Sequence, residues 1–154
     1  MFRVFFFFKQ KTAYDIHERL VGSDRLVAVC PRDHALARKR RVTAADVARE
    51  PLVLTAQGTS VRSVVDAALD AAGCEPDIAC EPTYMTTAVA MARGGLGVTI
   101  LPATAREVLT EPALVAKPID DPAFVRPIAL IRKRERTLPR VAEAFVALML
   151  RELK

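Results

Sequence analysis

Hydroxyl side chains cluster at two places where a predicted strand passes into a predicted helix, and both places could bind a small molecule. At the first, Gly58 lets a ligand approach the backbone closely, and Thr59 and Ser60 offer hydroxyl groups. Free amide groups at the start of the following helix favour an anion such as a carboxylate. Thr59 or Ser60 can also be the helix N-cap. The two interpretations are compatible, because one side chain can cap while its neighbours bind.

The second place is the segment EPTYMTT, which begins at Glu81. Thr83 is the predicted N-cap of the helix that follows, and Thr86 adds a hydroxyl within its first turn. Tyr84 is the only aromatic residue in the middle of the chain. Two interpretations of Tyr84 stay open: it lines a binding pocket, or it packs partly buried against the core.

Nucleophilic catalysis and metal binding have weaker support in the sequence. Cys30 or Ser60 could act as a nucleophile, but His34 lies in a charged turn and no GxSxG motif is present. The only other histidine is His17, and no close pair of metal ligands occurs. We therefore predict no catalytic residue, no metal and no cofactor.

The cysteines and the hydropathy pattern favour a cytoplasmic protein. Cys30, Cys74 and Cys80 are an odd set without CxxC spacing, which is more typical of reduced thiols than of a disulfide framework. No apolar run is long enough to span a bilayer, so we predict no membrane association.

The first fifteen residues differ in character from the rest of the chain. Five of the seven phenylalanines fall within residues 1–8, and FFFFKQKTAYD looks like the translation of a sequencing-library adapter. We therefore predict that residues 1–15 are not native. The remainder carries 20 basic and 17 acidic side chains, so its net charge does not indicate a nucleic-acid partner. Basic clusters at 38–41 and 132–136 lack aromatic neighbours and are interpreted as solvated turns.

Strands and helices alternate along the remaining residues, which is typical of a mainly parallel α/β sheet. Apolar runs predict strands at 26–30, 52–54, 77–81, 98–101, 114–119 and 126–131. Helical periodicity predicts helices at 60–72, 83–93 and 139–153, with shorter ones after Thr43 and Ala103. The last helix is expected to bury Val141, Phe145, Leu148 and Met149. In such a sheet ligands bind at the carboxyl ends of the strands, where both hydroxyl clusters lie.

Four segments together resemble the effector-binding domain of LysR-type transcriptional regulators. AMARGGLGVTILP at 90–102 is similar to the family's signature of GxG, an apolar run and LP. LVAVCPRDHAL at 26–36, VTAADVAREPLVL at 42–54 and GTSVRSVVDAALDAAG at 58–73 follow the family's order and spacing. The resemblance covers residues 20–154 and implies an α/β fold with two lobes, like that of periplasmic binding proteins.

The resemblance also implies one complete lobe and one partial lobe. The second lobe is expected at 42–117, with remnants of the first at 20–41 and 118–154. The family's winged helix-turn-helix, linker helix and first half of lobe one have no counterpart in this sequence. We therefore expect an effector-binding domain that is truncated at its N-terminus and does not itself bind DNA.

In this family a small metabolite, often an acid, binds between the lobes and shifts how a regulator holds DNA. The positions implied here are Gly58–Ser60, Thr83–Thr86, and Cys30 with Pro31 at the interlobe crossover. The implied partners are a small-molecule effector such as a carboxylate, DNA through the missing domain, and further copies in a homo-oligomeric parent. A periplasmic-type solute-binding protein has the same fold and is the alternative.

Overall fold

A computed structural model of the chain describes residues 16–133 and 137–152. The adapter-like segment 1–15, together with Arg134 and Arg136 of the second basic cluster, lies outside the described residues. The chain divides into two compact units: the larger spans residues 24–126, and the smaller contains the residues before Asp24 and after Arg126. No helix in the described ranges combines the length and the apolar character needed to cross a membrane.

Strands and helices alternate along the described residues, as predicted. The strands are β1 (Ile16–Pro31), β2 (Leu52–Val53), β3 (Ile78–Cys80), β4 (Val98–Pro102), β5 (Leu114–Pro118) and β6 (Val125–Lys133). The helices are α1 (Ala35–Arg38), α2 (Ala44–Ala48), α3 (Ser60–Ala71), α4 (Met85–Arg93), α5 (Arg106–Leu109) and α6 (Arg140–Glu152). The main differences are the earlier start of β1, the shorter α5 and the short helix α1, which was not predicted.

The sheet of the larger unit has the strand order β3-β2-β4-β1-β5. β2 is parallel to β3 and β4, whereas β1 is antiparallel to β4 and β5. Successive residues of a strand point to opposite faces, so β1 contributes to two cores. Leu26 and Ala28 pack in the core that includes α3, and Val27 and Val29 pack in the core that includes α4. The predicted parallel sheet is confirmed, with β1 as its antiparallel member.

Local sequence sets the ends of two helices in the way expected. Thr43 and Asp46 form a reciprocal capping box at the start of α2. At the end of α3, Gly73 has φ +65° and its N–H donates to the Asp70 carbonyl at 2.9 Å. Cys74 N–H reaches back to the Leu69 carbonyl at 2.9 Å, which completes a Schellman motif.

A close backbone contact fixes the turn between α4 and β4 against the start of β2. Val98 N–H donates to the Pro51 carbonyl at 2.8 Å. Gly97 has φ +157°, and a β-carbon built there would overlap the Pro51 carbonyl oxygen. Only glycine fits this position without strain.

The larger unit contains more residues, 24–126, than the range 42–117 expected for the second lobe. Val27–Pro31 of β1 pair with β5, and Val42 forms a parallel bridge with Ile119. Phe124 is fully buried in the larger core. These contacts explain why residues 24–41 and 118–126 belong to the same unit as 42–117.

The predicted burial of one face of α6 is wrong for three of its four residues. Val141, Phe145 and Leu148 are 83%, 59% and 49% exposed. Met149 is half-buried, and Ala142 is the buried hydrophobic residue of the helix. The described part of the smaller unit contains only α6, most of β6 and the first part of β1. It therefore offers the stripe of Val141, Phe145 and Leu148 little surface to pack against.

Candidate functional site

Both hydroxyl clusters lie at one edge of the sheet in the larger unit. β2, β3 and β4 are parallel, so their carboxyl ends meet at this edge. β1 runs in the opposite direction, and its Leu26 pairs with Pro102, the last residue of β4. Asp24, two residues before Leu26, is therefore placed at the same edge.

The loop between β2 and α3 combines a capped helix start with free amide donors. Thr59 is the N-cap: its hydroxyl accepts from Arg62 N–H at 3.2 Å and also lies 3.0 Å from the hydroxyl of Thr55. Gly58 has φ +84°, with open space where a β-carbon would stand. Ser60 and Val61 occupy the first two helical positions, whose N–H groups have no partner within the helix. The capping interpretation of Thr59 is confirmed, and the start of α3 still has donors for a ligand.

The loop between β3 and α4 differs from the prediction in two respects. The N-cap is Tyr84, which makes no side-chain capping bond, so the prediction of Thr83 as the cap is wrong. Tyr84 is 70% exposed, so of its two interpretations the one in which it packs partly buried against the core is wrong. Thr83 and Thr86 are exposed as well. Because α4 begins at Met85, the N-cap position is Tyr84 and Thr83 lies one residue before it.

Two backbone hydrogen bonds connect the loops that follow β2 and β3. Leu54 N–H donates to the Cys80 carbonyl at 3.1 Å, and Ala56 N–H donates to the Pro82 carbonyl at 3.0 Å. The structure thus brings the two hydroxyl clusters onto neighbouring loops of one sheet edge.

Arg62 is a site residue that sequence reasoning missed. Its side chain is 4% exposed, and Nε donates to Asp66 Oδ1 at 2.7 Å. Nη1 forms an ion pair with Glu81 and lies 3.4 Å from the Thr55 carbonyl oxygen. Burial lowers the pKa of Arg62, but the two carboxylates outweigh this effect and raise it, so the guanidinium stays charged. The spacing of Arg62 and Asp66 was the available signal, because residues four apart on a helix are neighbours.

Arg126 is the second residue that sequence reasoning missed. Its Nη2 lies 3.1 Å from Asp24 Oδ2, and its Nη1 lies 3.4 Å from Ser60 Oγ. Thr104 donates its hydroxyl to the same Asp24 oxygen at 2.7 Å. This arrangement places a nearly buried cation beside the first residue of α3. Nothing in the local sequence marks these partners, which are 66 and 102 residues from Arg126.

Cys30 and Pro31 do not join the other predicted site residues. They pair with Val115 and Leu114, which begin β5, and so they lie at the opposite edge of the sheet. Cys30 lies six positions further along β1 than Asp24, a distance of about 20 Å. Both residues lie within the larger unit, and their placement at the interlobe crossover stays a prediction.

The described residues offer little support for nucleophilic or metal chemistry. Burial raises the pKa of the Cys30 thiol, which disfavours the reactive thiolate. The ring of His34 accepts a hydrogen bond from Leu36 N–H at 3.2 Å, so it caps α1. Within the described ranges no group of three or more His, Cys, Asp and Glu side chains could hold a metal ion. This edge of the sheet offers hydroxyl groups and helix amides as hydrogen-bond donors, and two guanidinium groups that are paired with carboxylates.

Comparison with known proteins identifies the family. The model of the LysR substrate binding domain matches residues 4–154. The chain belongs to this family. Similar proteins include the HTH-type transcriptional regulator YybE of Bacillus subtilis, which is 31% identical over 80% of this chain and 41% of its own length. YfeR of Shigella flexneri, also an HTH-type transcriptional regulator, is 32% identical over 84% of this chain and 42% of its own length.

This LysR substrate binding domain chain spans about two fifths of the length of these relatives, which are named as transcriptional regulators and not as transport proteins. Solved structures support the same fold. The CcmR regulatory domain of Synechocystis PCC6803, in complex with 2-PG, has a TM-score of 0.80 at 17% identity, covering 95% of this chain and 71% of that one. The effector-binding domain of QuiR, in complex with shikimate, has a TM-score of 0.81 at 20% identity, covering 94% and 68%. The expected two-lobed, periplasmic-binding-protein-like fold class is confirmed.

Proposed function

We propose that this LysR substrate binding domain binds a small anionic effector at the start of α3. The observation that carries the proposal is that two positively charged groups lie beside Ser60. One is the N-terminus of α3, and the other is the Arg126 guanidinium, 3.4 Å from Ser60 Oγ. A helix N-terminus has a partial positive charge that favours a nearby anion. The Arg126 guanidinium, which pairs with Asp24, adds a full positive charge beside the same amides.

The proposed binding residues come from both loops at this edge. Gly58, Thr59 and Ser60 provide the approach to the backbone and the helix amides, and Thr83, Tyr84 and Thr86 provide hydroxyls and an exposed ring. Cys30 and Pro31 are left out because they lie at the other edge of the sheet. CcmR and QuiR, which have the same fold, are described as bound to 2-PG and shikimate, and this supports a small molecule as the ligand class.

The regulatory role is part of the same proposal. Effector binding by this domain adjusts a LysR-type transcriptional regulator, which binds DNA through a helix-turn-helix domain and acts as a cytoplasmic homo-oligomer without catalytic activity. The names of YybE and YfeR, both HTH-type transcriptional regulators, support this context. Determining the coding sequence upstream of Ile16 from source DNA tests it. An in-frame helix-turn-helix is the expected result, and a secretory signal would contradict it.

Substitution of Ser60 tests the effector site directly. Ser60→Pro removes the amide donor and the hydroxyl, while proline is well tolerated at the first position of a helix. Ser60→Ala removes the hydroxyl alone. Ser63→Ala is the matched control, because the Ser63 hydroxyl donates back to the Thr59 carbonyl at 3.1 Å within the helix.

Thermal shift with a set of carboxylates is the measurement, because a ligand that binds the folded state raises its unfolding temperature. We expect at least one carboxylate to stabilise the wild-type chain and the Ser63→Ala variant. Ser60→Pro should lose most of this stabilisation, and Ser60→Ala should lose part of it. Stabilisation only by neutral or cationic compounds, or an undiminished shift in Ser60→Pro, would refute the proposed site.

A further inference from the structure

The buried guanidinium of Arg62 connects the two loops that carry the proposed effector-binding residues. Within the first loop it lies 3.4 Å from the Thr55 carbonyl oxygen, and the Arg62 backbone N–H donates to the Thr59 hydroxyl at 3.2 Å. Across to the second loop the same side chain forms an ion pair with Glu81, which directly follows β3. One side chain therefore holds the cap of α3 and the start of the loop that leads to α4.

The free-energy cost of burying a guanidinium indicates that the ion pair between Arg62 and Glu81 strongly influences the two loops. A guanidinium that is 4% exposed is desolvated, so its carboxylate partners must hold it in place. Asp66 lies on α3 itself, and its bond to Arg62 can fix only the conformation of that helix face. Glu81 lies on the other loop, so its bond to Arg62 fixes the distance between the loops.

We propose that Arg62 and Glu81 are positioning residues that clamp the two loops into a single binding surface. The inference rests on the proposed function, since it concerns the same effector site. With the clamp closed, the amides at the start of α3 and the hydroxyls of Thr83 and Tyr84 keep a fixed separation. With it open, the two loops move separately, and a ligand that contacts both must order them when it binds.

The structure also supplies a reporter of the clamp that needs no ligand. Ala56 N–H donates to the Pro82 carbonyl at 3.0 Å, and this bond crosses between the same two loops. If the loops separate, the Ala56 amide becomes open to exchange with water. Hydrogen exchange at this amide therefore measures loop separation.

A pair of matched variants isolates the clamp from the general effect of losing a carboxylate. Glu81→Gln and Asp66→Asn each remove one negative charge from a partner of Arg62, and both side chains are 46% exposed. Arg62→Lys keeps the positive charge but loses the planar group that reaches several acceptors at once. In the whole chain, we expect Ala56 exchange to be about ten-fold faster in Glu81→Gln and in Arg62→Lys.

The expected result for Asp66→Asn is exchange at Ala56 within about three-fold of wild type, since only the bond along α3 is lost. Amides at the centre of β1 serve as the reference for global unfolding. If Glu81→Gln and Asp66→Asn speed exchange at Ala56 equally, or only in proportion to the β1 amides, the clamp is refuted.

A titration with inorganic sulfate, followed by NMR, separates the clamp from the proposed site itself. In the wild-type chain we expect sulfate to shift the amide signals of Ser60 and Val61 and, through the clamp, those of Thr83 and Tyr84. In Glu81→Gln only the first pair should respond. An equal response of the second pair in Glu81→Gln refutes the clamp. If the amide signals of Ser60 and Val61 do not shift in the wild-type chain, the anion site is refuted. The hydrogen-exchange experiment then still tests the clamp independently.

Discussion

Asp24 and Arg126 are 102 residues apart in the sequence, yet Arg126 Nη2 lies 3.1 Å from Asp24 Oδ2. The two side chains are only 3% and 11% exposed. They are the first and last residues of the larger unit, so the ion pair closes that unit where the chain enters and leaves it. The same guanidinium lies beside Ser60, which places the closure of the unit next to the proposed effector site.

Removing the charge of Asp24 should destabilise the larger unit strongly. Asp24→Asn leaves the nearly buried guanidinium without this counter-charge, and breaking a buried ion pair costs about 3–5 kcal/mol. Asp120→Asn is the control, because the ion pair between Arg41 and Asp120 is exposed, with side chains 76% and 45% accessible. An exposed pair contributes less than about 1 kcal/mol. Urea unfolding measures both, and equal losses in the two variants would contradict the structural role of Asp24.

Gly97→Ala should be more costly than an ordinary glycine substitution. The added β-carbon would overlap the Pro51 carbonyl, and the backbone at φ +157° is strained for alanine. We expect a loss of about 3 kcal/mol. Gly73→Ala is the control, since Gly73 also has a positive φ but faces open space. It should lose about 1 kcal/mol in the same urea experiment. Similar losses at the two positions would show that the contact with Pro51 is unimportant.

Features that depend on neighbouring residues were predictable from the sequence. Thr43 and Asp46 lie three residues apart, so their capping box could be recognised without a structure. The apolar periodicity of α3 and the glycine at its end, Gly73, are local features too, so the helix and its C-terminus were predictable. The first hydroxyl cluster, Gly58–Ser60, was predictable because residues typical of a helix N-cap lie between an apolar run and a helical pattern. Thr83 shows the limit of this reasoning, because the first helical residue is Met85 and the N-cap position therefore belongs to Tyr84, which makes no side-chain capping bond.

The partners of the two site arginines depend on the fold and could not be predicted in this way. Arg62 reaches Glu81, 19 residues away, because β3 lies beside β2 in the sheet. Arg126 contacts Ser60 and Asp24 because of how the chain folds: Asp24, in β1, is the first residue of the larger unit, and Arg126, in β6, is its last. Strand order and direction determine these contacts, and neither follows from local periodicity. The separation of Cys30 from the hydroxyl clusters has the same cause, because it follows from the antiparallel direction of β1.

The acid dependence of stability should include a contribution from Asp46. A hydrogen bond from Lys39, followed by one from the Thr43 backbone, lowers the pKa of the Asp46 carboxyl from 3.8 to about 2. Because the folded pKa is below the unfolded one, this contribution is complete above about pH 4 and is lost as the pH falls through about 2. NMR titration of the carboxyl should show the lowered pKa.

Substitution of Lys39 tests the cause of that shift. Lys39→Gln should raise the pKa of Asp46 toward its usual value, because it removes the largest contribution. Arg38→Gln makes the same change of charge one residue away and should leave the titration nearly unchanged. Equal effects of the two variants would indicate a general effect of positive charge in this turn and not the hydrogen bond from Lys39.

Two phenylalanines should differ sharply in their importance for stability. Phe124 is fully buried in the core of the larger unit, and Phe145 on α6 is 59% exposed. Phe124→Ala creates a cavity and should cost about 3–5 kcal/mol. Phe145→Ala removes a side chain that is mostly in water and should cost less than about 0.5 kcal/mol. Urea unfolding at several protein concentrations is the measurement. A loss above about 2 kcal/mol for Phe145→Ala would mean that its ring is buried in solution. If that loss grew with protein concentration, the burial would come from a second molecule packed on the stripe of Val141, Phe145 and Leu148.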